Sequence, residues 1–490
     1  MGPFDYDAVI IGAGPNGLAA AITLAKAGSS VLVVEARATP GGGARTAAIT
    51  LPGFFHDICS SVHPLGAGSP FFRSLPLEEH GLSWVHPSAL LAHPFEYGPP
   101  VMLERSLDAT CAGLFGDDAR AYRALIEPFS GASWDDLAGA ILGPIRIPRN
   151  PFLMARFGLS AIRSARGLTE SLFRDGRTRA LFAGMACHSM LPLDEPPSAA
   201  FGLVLAAAGH TSGWPIARGG SQAIIEALCS YLASLGGVVV TGRRISSMAD
   251  LPRARAYLFD VTPRQLVQIA GNRLPSSYRA DLLRYRYGPG AFKLDYALCA
   301  PVPWRSPECL RACTVHLGGH IGALAASEEA ISRGRVPDRP YVIVVQPTLF
   351  DPSRAPEGKH VAWVYCHVPH GSRYDMTERI EDQIERFAPG FRDVVLERRA
   401  MTPVDLEHYN PNYVGGDING GLQDLGQLFT RPRIQAIPYS TPVDDIFLCS
   451  SSTPPGGGVH GMCGYWAARA ALAKLRGQVG YADAPQFERS

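Results

Sequence analysis

Only four of the 45 basic residues are lysines (Lys26, Lys293, Lys359 and Lys474), so nearly every cation in this 490-residue chain is an arginine. Set against 44 acidic residues they leave a formal charge of +1, which excludes a global field for nucleic acid or an acidic membrane. No two of the ten cysteines have C-x-x-C spacing. A redox dithiol and a zinc knuckle therefore lack their ligands, no metal site is expected, and reduced thiols in a reducing compartment are. The longest apolar stretch, 199–209, falls well short of the about 20 residues that a spanning helix needs. No charged n-region with an apolar segment precedes the first strand pattern, so the expected location is cytoplasmic. No G-x-S-x-G elbow is present, which removes the usual signature of a serine hydrolase.

What is present is the patterning of a folded α/β protein, 46% apolar and 18% charged, with enough chain for more than one domain. An apolar run at 7–11 enters glycines, 18–27 reads as a helix stopped at Gly28, and 31–35 is a second buried strand. That is a βαβ unit. Between 106 and 209 the pattern is mainly helical, with candidates at 117–129, 151–166, 178–190 and 198–208, and reads as an insertion. A helix at 222–235 then leads to strands at 238–241 and 256–261. The alternating or β-branched runs at 291–299, 341–346 and 360–367 suit an antiparallel sheet open on one face. A strand at 446–451 and a helix at 460–475 close the chain.

Gly12-Ala13-Gly14-Pro15-Asn16-Gly17 is a G-x-G-x-x-G between strand and helix, and Glu35 ends the next strand. Glycines permit a tight turn and close approach to a diphosphate, the helix N-terminus stabilises its charge, and the carboxylate can accept from ribose hydroxyls. This motif does not by itself separate FAD from NAD. The following run, Pro40-Gly41-Gly42-Gly43-Ala44-Arg45, supplies a second glycine loop, with an Arg suited to diphosphate charge. A hydride shuttle that releases its cofactor has little use for such a clamp. Near the other end, the glycine-rich segment 451–464 again lies between a strand and a helix, so a second helix N-terminus faces a ligand.

The N-terminal fingerprint, the Gly-Gly-x-Arg clamp, Arg218-Gly219-Gly220-Ser221 and the closing Pro-Gly-Gly-Gly-Val-x-Gly-x-x-Gly together resemble the phytoene desaturase-like branch of the flavin-dependent amine oxidase superfamily. His56-Asp57-Ile58-Cys59-Ser60-Ser61-Val62-His63-Pro64 and Gly458-Val459-His460-Gly461-Met462 read like its phytoene dehydrogenase-related, pyridine nucleotide-disulfide oxidoreductase domain 2-type subgroup. The resemblance implies one non-covalent FAD. It places Gly12, Gly14, Pro15, Asn16 and Gly17 at the diphosphate, and Glu35 with Ala36 at the adenosine ribose. It places Gly42, Gly43, Ala44 and Arg45 at the ribityl-diphosphate region and Ile245 at the adenine. Ser451 would approach the diphosphate, and Gly458, Val459, Gly461 and Met462 would lie along the isoalloxazine. Ser450 and Ser452 stand where true carotenoid desaturases commonly have glycine, which weakens the case for a carotenoid.

Two catalytic candidates follow from the same resemblance. Lys293, on the strand pattern 291–298, matches an amine oxidase lysine that reaches flavin N5 through a water; its plain alternative is a solvent-facing strand-edge lysine. His63 sits in the segment that runs beside the flavin and has the proton affinity of a base, or else is a packing residue. The expected fold is a Rossmann-like FAD domain (1–75, 214–265, 430–490) with an interleaved α+β substrate domain (76–213, 266–429). The expected reaction is FAD-dependent desaturation, or saturation or isomerisation, of an apolar small-molecule substrate. Amine oxidation and a non-catalytic FAD-binding protein are the alternatives. With no second G-x-G-x-x-G and no C-x-x-C, electrons are expected to leave to oxygen or a quinone. The segment 151–166 reads first as a helix packed on the FAD domain with a solvated basic face, and second as a peripheral membrane contact.

Overall fold

The computed structural model describes residues 4–482; the outermost residues of the first and third FAD-domain segments lie outside them. Two sheets organise the chain. The first is a five-stranded parallel sheet in the order Ile446–Leu448, Ala254–Phe259, Tyr6–Ile11, Val31–Val34, Val238–Val240. Ile10 pairs with Val33 on one side and Leu258 on the other, all three fully buried. Unbroken apolar runs such as Val31-Leu32-Val33-Val34 are what a parallel sheet covered on both faces requires. On one face the helices Pro15–Lys26 and Met462–Leu475 cross so closely that a Cβ at Gly464 would lie 1.8 Å from the Asn16 carbonyl oxygen. Small residues in both helices permit this approach. The other face packs on Pro263–Ala270 and Ser276–Leu283 through Leu266, Ile269, Tyr278 and Leu282.

The second sheet has seven strands in the order Val395–Met401, Gly290–Leu298, His360–Val368, Val342–Val345, Ala312–Leu317, Ala89–His93, Val101–Leu103. Its pairs are antiparallel except Ala89–His93 with Ala312–Leu317. Period-two alternation sends Phe292, Leu294 and Tyr296 into a core with Ile380 and Ile384 of the Thr377–Phe387 helix, and Lys293 and Asp295 to the opposite face. All nine residues of Gly290–Leu298 are buried. The expected open face is therefore corrected: helices cover it, and a cavity lies between. The strands Ala89–His93, Val101–Leu103 and Ala312–Leu317 add to the pattern read from sequence.

The 106–212 insertion is helical, with a break where one helix was expected over 151–166. Ser164 caps a new helix, Ala165–Leu172, by accepting the Gly167 amide at 3.1 Å, so Pro151–Ala161 ends first. Leu153, Phe157 and Ala161 face the core, whereas Phe152, Leu159 and Ile162 are exposed. The outer face of this helix is thus partly apolar and not simply a solvated basic surface. Among the described residues no helix is long and apolar enough to cross a membrane.

Candidate functional site

The first strand delivers the chain to a turn that only glycine can make here. Gly12 has φ +105°, and a Cβ on Gly17 would sit 2.0 Å from the Gly12 carbonyl oxygen. The turn opens the Pro15–Lys26 helix with no side-chain cap and no acidic residue in its first turn. Its positive end opens on a cavity of about 430 Å³. Gly42, at φ +55°, folds the second glycine loop against it, within 3.1 Å of Gly14 Cα for any added Cβ. Ser451, Gly457, Gly458 and Val459 bring the C-terminal segment to the same cavity.

Three glycine segments far apart in sequence thus share one wall, and Gly14, Pro15, Asn16, Gly42, Gly43, Ser451, Gly458 and Val459 line it. Gly12 and Gly17 shape the turn beneath. The other expected residues stand elsewhere. Ile245 is buried among Val9, Leu32 and Val34 behind the sheet, Ala36 is exposed, and Ala44 is buried in the core. Gly461 and Met462 start the last helix facing inward; a Cβ at Gly461 would meet Phe72 at 2.8 Å and Ala19 at 3.0 Å. Contact with Phe72 and with the first helix, rather than with the cavity, therefore dictates glycine at 461.

Glu35 and Arg45 form a buried ion pair at 3.2 Å. Glu35 also accepts the amides of Ala13 at 2.9 Å and Arg37 at 2.8 Å, which ties the second strand to the first glycine turn. Arg45 donates to the carbonyls of Thr39 (2.9 Å) and Gly42 (3.2 Å), so it braces the second glycine loop from within.

Across the cavity, Lys293 is buried and not a solvent-facing edge residue, since its strand is paired on both sides. It pairs with Asp295 and stands 5.7 Å from the Trp363 ring centroid. Burial raises Asp295 to about 6 in spite of the lysine. His56 Nδ1 lies 3.6 Å from Asp295, and burial pulls that ring down to about 3, so it is neutral. Trp363 and Tyr365, their rings edge to face at 5.0 Å, line the cavity beside Lys293. His63 lines it too; its Nε2 is 2.9 Å from Ser221 Oγ, and burial lowers its pKa to about 4.

Two features were given no role by sequence reasoning: Asp260, which stands in no motif, and Asp57, which stands in one, the 56–64 segment. Asp260, at the end of Ala254–Phe259, accepts the Gly17 amide at 3.0 Å, and burial, with Glu35 adding to it, raises its pKa to about 7. Asp57 forms an ion pair with Arg354 at 3.0 Å and accepts from Thr46 (2.7 Å), Ser61 (2.8 Å) and the Ser221 amide (2.8 Å), a buried hub behind His63. An acidic residue just after a strand that pairs with the first one is the signal that would have pointed to Asp260. All ten cysteines are free thiols.

A parallel sheet with its glycine turn on a cavity roofed by a mixed sheet is a fold that this chain shares with solved oxidoreductases. Residues 10–75 match the NAD(P)-binding Rossmann-like domain. The chain is related along nearly its whole length to the pyridine nucleotide-disulfide oxidoreductase domain-containing protein 2 of Rattus norvegicus, 27% identical over 96% of this chain and 94% of that one. The lycopene-forming phytoene desaturase of Pantoea ananas is 26% identical over 94% and 98%. In fold, the chain resembles an oxidoreductase from Methanosarcina mazei (TM-score 0.64, 18% identical, 95% and 99% covered). It also resembles a putrescine oxidase triple mutant (TM-score 0.62, 17% identical, 96% and 99% covered).

Proposed function

We propose that this protein binds one FAD non-covalently and uses it to remove two hydrogens from a largely apolar organic molecule, or to add or relocate them. The observation that carries the reading is the meeting of the 14–16, 42–43 and 450–460 segments at one cavity. The residues present fit the cofactor. The helix N-terminus and the side-chain-free surface of Gly14 and Gly42 suit a diphosphate, and the buried Asn16 Oδ1, an acceptor without a partner, suits a hydroxyl of the cofactor. Gly458 and Val459, which line the cavity, suit the ring end, and Glu35 braces the first glycine turn through the Ala13 amide. In this reading 1–75, 214–265 and 430–490 carry the cofactor, and 76–213 and 266–429 the substrate.

When bound, FAD supplies a two-electron hydride acceptor. The chain supplies the rest. Phe157, Phe201, Val204 and Leu205 of the insertion give the opposite wall an apolar character that excludes water and orients a C–H bond. Lys293 holds a cation at the cavity, steadied by Asp295. His63, neutral, donates Nε2–H to Ser221, whose own hydroxyl donates to the Ser60 carbonyl, and so offers a lone pair at Nδ1. A second reading, amine oxidation, is favoured by the Trp363–Tyr365 pair beside Lys293, whose cavity-facing surface suits an amine laid against an aromatic ring. Oxygen or a quinone would take the electrons onward.

The test is the purified full-length chain. One FAD released per chain on denaturation is expected, followed by anaerobic bleaching by phytoene in detergent micelles, or by putrescine under the second reading. No flavin, and no uptake of added FAD, overturns the proposal. A flavin that no substrate reduces selectively points to a binding protein.

A further inference from the structure

The insertion covers its side of the cavity with Ile145, Phe157, Met190, Phe201, Val204 and Leu205, and His188 brings the one polar side chain among the described residues of that wall. His188 stands in the single turn Cys187–Ser189 after the helix Gly176–Ala186. Met190, just beyond the turn, takes φ +56° and ψ +28°, the one non-glycine residue in the left-handed region among the described residues. A side chain resists that conformation, and a fold keeps it where the surrounding structure needs the turn. Here the Met190 amide donates to the Cys187 carbonyl at 2.8 Å, and the closed turn leaves both His188 and Met190 on the cavity wall.

The ring of His188 is fixed by two neighbours. Its Nε2 lies 3.1 Å from Nε2 of His316, which is fully buried on Ala312–Leu317. The Trp214 ring stands edge to face with it at 6.0 Å, itself held by donation from Nε1 to the Leu205 carbonyl at 3.3 Å. Burial lowers His188 to about 3 and His316 well below its ordinary value, so both rings are neutral near pH 7 and a single N–H serves the bond between them. The remaining nitrogens decide which ring donates it. Nδ1 of His316 is buried without a partner, so a proton there would be an orphaned buried donor, whereas a bare lone pair in the same place costs less. His316 therefore carries its proton on Nε2 and donates to His188. His188 then carries its own proton on Nδ1, which has no partner in the chain and is not sealed off, since the residue is half-buried with the cavity as its open side.

We propose that His188 determines specificity by donating its Nδ1–H to an acceptor oxygen, a carbonyl or a hydroxyl, on an otherwise apolar substrate. This rests on the oxidoreductase reading above and narrows its substrate class. A hydrocarbon with no oxygen would displace water from this N–H and leave it unpaired in a dry cavity, a loss that a site built around a donor turns into rejection. A substrate with an oxygen at that point keeps the hydrogen bond and gains the same apolar contacts. The donor is preorganised, because His316 fixes the tautomer and Trp214 the ring plane, so little freedom is lost when the oxygen docks.

The test uses the full-length protein as purified and two isosteric probes, 2-acetylnaphthalene and 2-ethylnaphthalene, which differ by one acceptor oxygen. Equilibrium dialysis gives the ratio of their affinities in the parent and in His188→Phe, which keeps a ring and loses the N–H. Comparing the two ratios cancels the difference in the probes' solubility in water. The variant's ratio should shift against the ketone by about fivefold or more, the size of one neutral hydrogen bond. Ring ¹⁵N shifts of the parent labelled at histidine, assigned with His188→Gln, should show His188 protonated on Nδ1, and that signal should move more with the ketone than with the ethyl compound. This second measurement serves if the phenylalanine variant does not fold. Equal affinity ratios in parent and folded variant, or a His188 protonated on Nε2, overturn the proposal. Absence of FAD would overturn the earlier reading, and both measurements, which involve no turnover, would still decide this one.

Discussion

The carboxylate of Asp260 accepts the amide of Gly17 at 3.0 Å and closes the underside of the glycine turn that faces the cavity. Burial raises its pKa from 3.8 to about 7, so the folded chain holds a proton there that the unfolded chain has lost above about pH 4. The stability contribution is complete below pH 3.8 and declines as pH rises to about 7. An anionic diphosphate at this turn adds to the preference for protonated Asp260. FAD affinity is therefore expected to weaken as pH rises through 7 and above, by up to tenfold per unit, with Asp260→Asn flattening the profile. Titrations of the apoprotein from pH 6 to about 9 check this, and equal slopes in parent and variant would remove Asp260 from the site.

Gly14→Val is expected to abolish FAD retention while the fold survives. A Cβ there meets Asp260 Oδ2 at 2.8 Å, and the branched carbons beyond it enter the cavity. Circular dichroism with flavin content separates lost binding from lost folding.

Glu35→Ala leaves Arg45 buried without its carboxylate and frees two backbone amides. Breaking such a pair from one side costs about 3–5 kcal/mol, so the apoprotein itself should lose stability, along with FAD affinity. Urea unfolding without cofactor is the measurement; a variant that weakens FAD with no change in apoprotein stability would show that the pair does not brace the loop.

Lys293→Met removes the cation facing the cavity and leaves Asp295 to be protonated. The flavin midpoint potential should fall by about 30 mV or more, the equivalent of about 1.4 kcal/mol for a two-electron couple. A matching potential in parent and variant would place Lys293 out of electrostatic reach.

Ile147 and Phe152, 95% and 87% exposed, follow the cavity residue Ile145 along the chain, with Arg146 and Arg149 interleaved. The expected outcome is flotation with anionic vesicles and at least about tenfold weaker binding in the Ile147→Glu, Phe152→Glu double variant. Failure of the parent to float leaves Pro151–Ala161 a packed surface helix.

What the sequence by itself determined is local. Val31-Leu32-Val33-Val34 had to be a covered strand, because an apolar run of that length has no wet face. Gly12 and Gly17 had to turn the chain into a helix N-terminus, because the spacing permits little else. The two helices at 151–172 follow Ser164, a cap that periodicity alone passes over. Only tertiary structure decided which face Lys293 takes, since both neighbouring strands come from more than 60 residues downstream. It likewise turned Gly461 inward against Phe72 and set Asp260 under Gly17. It also set His188 against His316 from another element. No period or motif specifies these partnerships. The polar ones exist because a buried polar group must find its partner wherever the packed chain brings one, and sequence distance does not constrain that choice.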